Sequence, residues 1–422
     1  MTIVQKYGGT SVADPVRIKG VASRVAEYVK KGNRIVVVVS ALGGTTDELI
    51  SLASQITDEP SEREMDMLLS TGEQVSVALL AMALHKRGIE AISFTGAQVG
   101  IITDSSHTKA KIIDVNAARI RKALRNDKVA IVAGFQGVNL DQEITTLGRG
   151  GSDMTAVALA KVLKADMCQI YTDVKGVYTT DPRIVPSARK LESISYEEML
   201  EMASLGARVM QARSMEVAHK FNIPMEIRSS MSREKGTLVI KEVREMEDVL
   251  VRGITLNRKE AKVTVCDVPD KPGEASRLFE ILSKAHINVD MIIQNISRTG
   301  ATDISFTVEE KALRNIKRMK DDICRKIGAK SLRYDRDVAK VSVVGIGMRS
   351  HSGVAARMFK TLASKKINIE MISTSEIKIS VVVADRQAES AVKALHRVFG
   401  LAKKTNSGKK KRNKSGKTRG RK

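Results

Sequence analysis

QKYGGTSVADP, residues 5–15, reads as a strand that ends at a glycine pair and turns straight into a helix. The strand is TIVQKY (2–7). Asp14 and Pro15 open the helix, an N-cap followed by proline at the first helical position, where its missing N–H leaves no bond unmade. In between, Gly8 and Gly9 allow backbone N–H groups to approach an anion, and the helix N-terminus adds positive partial charge. Lys6 adds a full charge where a transferring phosphoryl group would need one. Taken alone, a Gly-Gly turn of this kind is an ordinary structural device.

SALGGTTDEL (40–49) repeats the arrangement after a second strand, RIVVVVS (34–40). VVVV at 36–39 shows no polar face, the pattern of a strand covered on both sides in a parallel sheet. Two such turns lie at one carboxyl edge, where open α/β sheets bind ligands. Further strands are expected at 90–94, 128–133, 167–172 and 223–228, with helices at 15–31, 61–87, 114–125, 153–164 and 196–220. The alternation predicts a layered α/β domain over residues 1–230.

Three more stretches carry chemistry. STGEQVS (70–76) sets Gly72 and Glu73 inside an apolar helical segment. Glycine there costs on the order of 1 kcal/mol, so a local reason is expected. Glu73 is either a group that binds an amine or a surface carboxylate at a helix junction. TTLGRGGSDMTAVALA (145–160) brings Arg149 and Asp153 among three glycines to the mouth of an apolar helix. TDVKGVYTTDPR (172–183) gathers Asp173, Tyr178, Asp181 and Arg183 on one loop, a set suited to a nucleotide's base, phosphates and metal. Mg²⁺ needs only one or two carboxylates beside substrate phosphates, and Asp153, Asp173 and Asp181 are the candidates.

The C-terminal third repeats itself. KVTVCDVPDKPGEASRLFEILSKAHINVDMIIQN (262–295) matches KVSVVGIGMRSHSGVAARMFKTLASKKINIEMIST (340–374) at an offset of about 80. Each copy reads as a small α+β module, used twice. The charged stretch 231–260 is the expected connector.

At 422 residues the chain exceeds one core, and 42% hydrophobic with 3% aromatic residues predicts aliphatic packing. No apolar stretch of the roughly 18 residues needed to span a membrane is read, and MTIVQKYGG lacks a signal-peptide pattern. Cys168, Cys266 and Cys324 are far apart and form no CxxC, which suits a reduced, cytoplasmic setting. The net charge of +23 owes much to residues 403–422, KKTNSGKKKRNKSGKTRGRK, which hold eleven of the 71 basic residues and no acid. The remaining 60 face 48 acids, about +12. That tail is expected to be disordered, with non-specific polyanion contact as its one route to nucleic acid. Its GKT (416–418) lacks the upstream glycine of a phosphate loop, and GIGMRS (345–350) ends in serine where a dinucleotide fingerprint needs glycine.

KYGGTS, SALGGTTDEL, TGE, GRGGSD and TDVKGVYTTDPR, in this order and spacing, resemble the aspartate kinases of the amino-acid kinase family over about residues 1–400. The resemblance implies a three-layer αβα kinase domain (1–230), a connector (231–260), and two ferredoxin-like ACT modules (261–335 and 336–402) ahead of the tail. It implies ATP-dependent phosphorylation of the β-carboxylate of L-aspartate, the first step towards lysine, threonine and methionine, with Mg²⁺ held mainly by the nucleotide phosphates. Lys6 and Asp153 match the catalytic pair. Arg149 matches the grip on the substrate's α-carboxylate and Glu73 the contact to its amine, with Ser40, Thr46, Gly150, Gly151 and Ser152 around them. Lys6, Tyr7, Gly8, Gly9, Thr172, Asp173, Tyr178, Asp181, Arg183 and Arg208 match the ATP site. Lysine or threonine would bind as effectors at Asp270, Gly273, Glu274, Ala275, Asp290, Met291, Ile292, Gln294 and Asn295, and at Ser373, Thr374, Ser375 and Glu376. The ACT modules would also make at least a dimer, and no membrane partner is expected.

Arg208 stands where the family commonly has lysine, and Ser352 where it often has proline. The rival readings are a kinase of glutamate or acetylglutamate, and a non-catalytic amino-acid sensor or RNA-associated regulator.

Overall fold

The computed structural model describes residues 1–205, 210–241, 250–295, 300–349 and 353–403. Arg208, Ser352 and tail residues 404–422 lie outside these.

Eight strands form the first sheet, in the order Ser193–Ser195, Thr237–Ile240, Met225–Ser229, Met167–Thr172, Thr2–Tyr7, Arg34–Val39, Val129–Ala133 and Ala91–Phe94. All neighbours are parallel except Met225–Ser229 against Thr237–Ile240. The valine run explains why the domain has three layers. Val36 and Val38 enter one core and Val37 and Val39 the other, since side chains alternate along a strand. Helices Pro15–Lys30 and Glu62–His85 cover the second core, and Ala118–Arg125 and Gly151–Leu163 cover the first. Asp14 caps its helix as expected, accepting the Arg17 N–H at 2.8 Å. The single helix expected over 196–220 is two, Tyr196–Ser204 and Ala212–Lys220.

Helix Glu62–His85 is long enough for a membrane span and contains an 18-residue window of mean hydropathy 1.5, a feature the sequence reading had not found. It packs against the sheet, and its inward face carries Asp66, Ser70, Glu73 and Ser76, all buried. A second, four-stranded sheet stands beside it: Ile112–Val115, Ile101–Thr103, Gln136–Val138 and Ile144–Thr146.

The expected connector contributes two strands. Thr237–Ile240 joins the kinase sheet, and Gly253–Asn257 joins the sheet of the second repeat, pairing antiparallel with Val338–Val344. The first repeat is a complete β-α-β-β-α-β module with strand order Val289–Gln294, Ala301–Glu309, Glu260–Pro269, Ser331–Asp335. The second has the same order, Met371–Thr374, Lys378–Ala384, Val338–Val344, Gly253–Asn257, with its fourth strand drawn from ahead of the first. A connector strand alternating Ile254 inward with polar neighbours satisfies an edge that the repeat itself leaves open.

Repeat-equivalent charges meet across the two modules. Lys262 pairs with Glu370 at 3.1 Å, and its counterpart Lys340 pairs with Asp290, the counterpart of Glu370. Lys340 also reaches Glu260 at 2.8 Å. Burial alone would lower the Lys340 ammonium, but Glu260 and Asp290 outweigh it and raise it above the ordinary range.

The kinase domain and second module share a boundary. Val185 is buried within the second module's core, and Thr179 Oγ1 lies 3.0 Å from His396 Nε2. Glu198 receives Arg252 Nε and the Ile346 N–H, each at 3.3 Å.

Candidate active site

Adjacent parallel strands release their chains at one edge. Gly8 N–H donates to the Tyr171 carbonyl, Ser40 N–H to Tyr7, and Gly134 N–H to Val39. The two glycine turns and the end of Met167–Thr172 therefore share one side of the sheet, as the paired turns predicted. Helix Gly151–Leu163 starts above them, and every residue from Gly151 to Ala160 is buried. Gly150 takes a left-handed conformation (φ 77°), and a side chain there would run into Gln211. A Cβ on Gly151 would meet Phe135 and Leu147 below 3.0 Å.

This close start fixes the chemistry. Lys6 Nζ lies 2.6 Å from Asp153 Oδ1, with both side chains largely buried. Ser40 Oγ donates to Ser152 Oγ at 3.0 Å, joining the second turn to the helix mouth. Thr46 is half-buried in the first turn of helix Thr45–Ile56. Arg149 is exposed and makes no hydrogen bond or ion pair with a described residue. Its guanidinium fork is free for a planar anion.

Glu73 is not a surface carboxylate: it is 3% exposed. Its Oε1 accepts the Ala41 N–H at 3.0 Å, while buried Oε2 has no partner. Burial raises the carboxyl from its ordinary 4.5 to about 7, and the Ala41 hydrogen bond offsets part of that rise. Gly72 supplies the local reason expected of it. A Cβ there would lie 2.8 Å from that of Ala41, so only glycine lets the helix carry Glu73 this close to the 40–44 turn.

On the nucleotide side, Thr172 Oγ1 donates to Asp173 at 2.9 Å, and Arg183 holds Asp181 through two nitrogens. Asp173, Tyr178, Asp181 and Arg183 line a cleft of about 570 Å³ whose far wall is Ile254–Arg258. Tyr7 differs from expectation. Its ring is fully buried, stacked on Tyr171 at 4.5 Å, so its side chain is withheld from the site. Among the described residues no group of three or more His, Cys, Asp or Glu could cage a metal. Single carboxylates beside an open cleft fit Mg²⁺ that arrives bound to phosphates.

In the modules, Asp290 and Met291 face the seam, where Met291 packs with Val338, Met371 and Val382. Ile292, Gln294 and Asn295 are exposed, as are Thr374, Ser375 and Glu376, while Ser373 is half-buried. Gly273 (φ 101°) opens helix Glu274–Lys284, Asp270 N–H bonds Gly300, and Glu274 pairs with Arg277. Ala275 packs on the first module's core.

Sequence reasoning passed over Asp66, and it noted Ser11 only as one of the paired hydroxyls of the first glycine turn. Ser11 Oγ, in the first glycine turn, is buried without a partner. Asp66 lies seven residues before Glu73 on one helical face, a spacing that could have drawn notice.

A model of the amino acid kinase family matches residues 1–229, and two ACT domain models match 262–327 and 341–399. The chain is 54% identical to an aspartate kinase of Pseudomonas putida, covering 94% of this chain and 97% of the relative. It is 50% identical to an aspartokinase of Mycobacterium tuberculosis, covering 94% and 96%. The crystal structure of E. coli aspartokinase III with aspartate and ADP aligns over 94% of this chain and 99% of that one, at 27% identity and TM-score 0.80. Aspartate kinase from Synechocystis aligns over 95% and 70%, at 46% identity and TM-score 0.53. With the glycine-lined cleft and the paired modules, these likenesses establish that the chain belongs to the aspartate kinases of the amino acid kinase family.

Proposed function

We propose that this cleft transfers the γ-phosphoryl group of ATP to the β-carboxylate of L-aspartate, yielding 4-phospho-L-aspartate and ADP. One observation carries the assignment of roles: the fork of Arg149, unpaired among the described residues, precedes Asp153 by four positions, and the unpartnered oxygen of Glu73 belongs to a side chain bonded to Ala41, next to the Ser40 that meets Ser152 at the same helix mouth. A cation and an anion so placed suit an amino acid's α-carboxylate and α-ammonium. The substrate's own β-carboxylate oxygen is then the nucleophile. It forms the new P–O bond as the bond to the β,γ-bridging oxygen breaks, and no proton need move. Catalysis of this kind rests on position and charge. Lys6 meets the phosphates, and Asp153 orients the Lys6 ammonium. Ser40, Thr46 and the backbone of Gly150–Ser152 bound the amino acid. Gly8 and Gly9 pass the phosphates, and Thr172, Asp173, Tyr178, Asp181 and Arg183 receive the rest of the nucleotide, with Arg208 assigned by resemblance alone. Mg²⁺ carried on the phosphates would neutralise charge that develops during transfer.

The modules read end products. E. coli aspartokinase III has been solved with lysine and aspartate in a T-state, at 26% identity to this chain. By that likeness lysine, alone or with threonine, is the effector proposed for Asp270–Ala275, Asp290–Asn295 and Ser373–Glu376. The module edges carrying Ile292 and Ile372, exposed by 52% and 43%, would join copies into at least a dimer. Three free cysteines support a cytoplasmic setting.

The purified protein with ATP, Mg²⁺, aspartate and hydroxylamine should form aspartyl hydroxamate, and lysine or threonine should suppress it. Product from glutamate but none from aspartate would overturn the assignment.

A further inference from the structure

Asp66 is a fully buried carboxylate that the transfer chemistry does not use. Its two oxygens accept the Thr108 N–H at 3.0 Å, the Thr146 hydroxyl at 2.5 Å, and His107 Nδ1 at 2.9 Å. The far side of His107 faces Glu143 at 3.5 Å, and Glu143 meets Arg63 at 2.9 Å.

These bonds converge on the base of the Arg149 loop. Thr146 ends the last strand of the small sheet, three residues before Arg149. Thr108 adopts a left-handed conformation (φ 63°), which a β-branched residue holds only when its surroundings require it. In that conformation its carbonyl packs against Gly148, where a Cβ would sit 3.0 Å away. Gly148 is itself left-handed (φ 69°) and starts the turn that presents Arg149. On the other flank, Arg213 donates to the carbonyls of Leu147 and Ala110 at 3.1 and 2.9 Å. Asp66 thus ties both chains that define the loop's exit, while the Arg149 side chain has no tether among the described residues.

We infer that Asp66 is a positioning residue for aspartate binding: it acts through Thr108 and Thr146 to aim Arg149, and touches no substrate. The inference rests on Arg149 as the group that grips the substrate carboxylate. Asp66 and Glu73, two turns apart on one helix, then set the two ends of the amino-acid site from one rigid element.

Steady-state kinetics of Asp66→Asn, Thr146→Val, Thr146→Ser and Arg149→Ala, with the Asp66→Asn/Arg149→Ala double variant, test this. Asp66→Asn should raise the aspartate KM about tenfold or more while the ATP KM stays within about twofold, as loss of an outer-shell partner does. Thr146→Val should move the same way and Thr146→Ser should restore the parent value. In the Arg149→Ala background, Asp66→Asn should add little, because the two act in series. Equal rises in both KM values, or full additivity with Arg149→Ala, would overturn the inference. Should Asp66→Asn fail to fold, the Thr146 pair decides, and an unchanged aspartate KM in Thr146→Val overturns it. An Arg149→Ala variant with unchanged aspartate KM would instead overturn the role given to Arg149, whatever Asp66 does.

Discussion

With Glu73 in its proposed role at the substrate amine, its burial makes aspartate capture depend on pH in a definite direction. Its carboxyl is moved from 4.5 to about 7 by burial, equivalent to about 3 kcal/mol against the ionised form. The free Oε2 is where an ammonium would restore that charge. Below pH 7 the unliganded enzyme must lose the Glu73 proton before it can bind the amine, so kcat/KM for aspartate should fall with acid. Ionisation at pKa 7 goes from about 9% at pH 6 to about 91% at pH 8, a tenfold rise in kcat/KM. Glu73→Gln keeps the shape without the charge. It should lower kcat/KM for aspartate about 100-fold at pH 8, the scale of one half of a buried charge pair, and remove the pH step. Stability should move oppositely. A carboxyl with a raised folded pKa contributes full stability below pH 4.5 and loses it as pH rises towards 7. The glutamine variant should therefore melt higher than the parent at pH 8 without ligand, and no higher at pH 4. A flat parent profile from pH 6 to 8, or the same step in Glu73→Gln, would refute the reasoning.

Other perturbations test neighbouring parts. Gly72→Ala should push the helix off Ala41, costing about 1–3 kcal/mol by thermal melting and weakening aspartate binding more than ATP binding. Lys340→Met leaves Glu260 and Asp290 facing a neutral group, and should cost about 3–5 kcal/mol, read as faster hydrogen exchange along the module seam. Thr179→Val cuts the link to His396 and should raise the ATP KM about fivefold with the aspartate KM unchanged. Burial lowers the His396 pKa, so the stability it contributes is complete above pH 6.5 and lost as pH falls below it. His396→Gln should flatten that part of the melting profile.

The large sheet was legible because its strands are long, apolar and separated by glycine turns with one meaning each. Lys6, Arg149 and Asp153 stand out as proposed site residues because they border glycine turns, and Glu73 because Gly72 interrupts its helix. The small sheet was not legible, since Ile101–Thr103, Gln136–Val138 and Ile144–Thr146 are three residues each, too short to show a period. Tyr7 illustrates a different limit: it borders the glycine turn in sequence, yet alternation turns its ring into the core against Tyr171. Asp66 carries no motif, and the partners from which its role is inferred, His107, Thr108 and Thr146, lie 41 to 80 residues away in sequence. Gly253–Asn257 was hidden because its partner lies about 90 residues onward, beyond any local pattern.

That strand has a consequence for how the chain is made. Gly253–Asn257 leaves the ribosome early and must wait for Val338–Val344, with the whole first module interposed. The wait is short in entropic terms if the interposed module folds at once, because its first and last strands are hydrogen-bonded neighbours, Lys262 opposite Asp335. Once closed, it delivers Asn257 beside Lys340, their place in the second sheet. Folding in that order, the first module would serve as a jig for the second during biogenesis. A lesion in its core, at Phe306 for example, would be felt as failure of two modules to assemble, although only one carries the change.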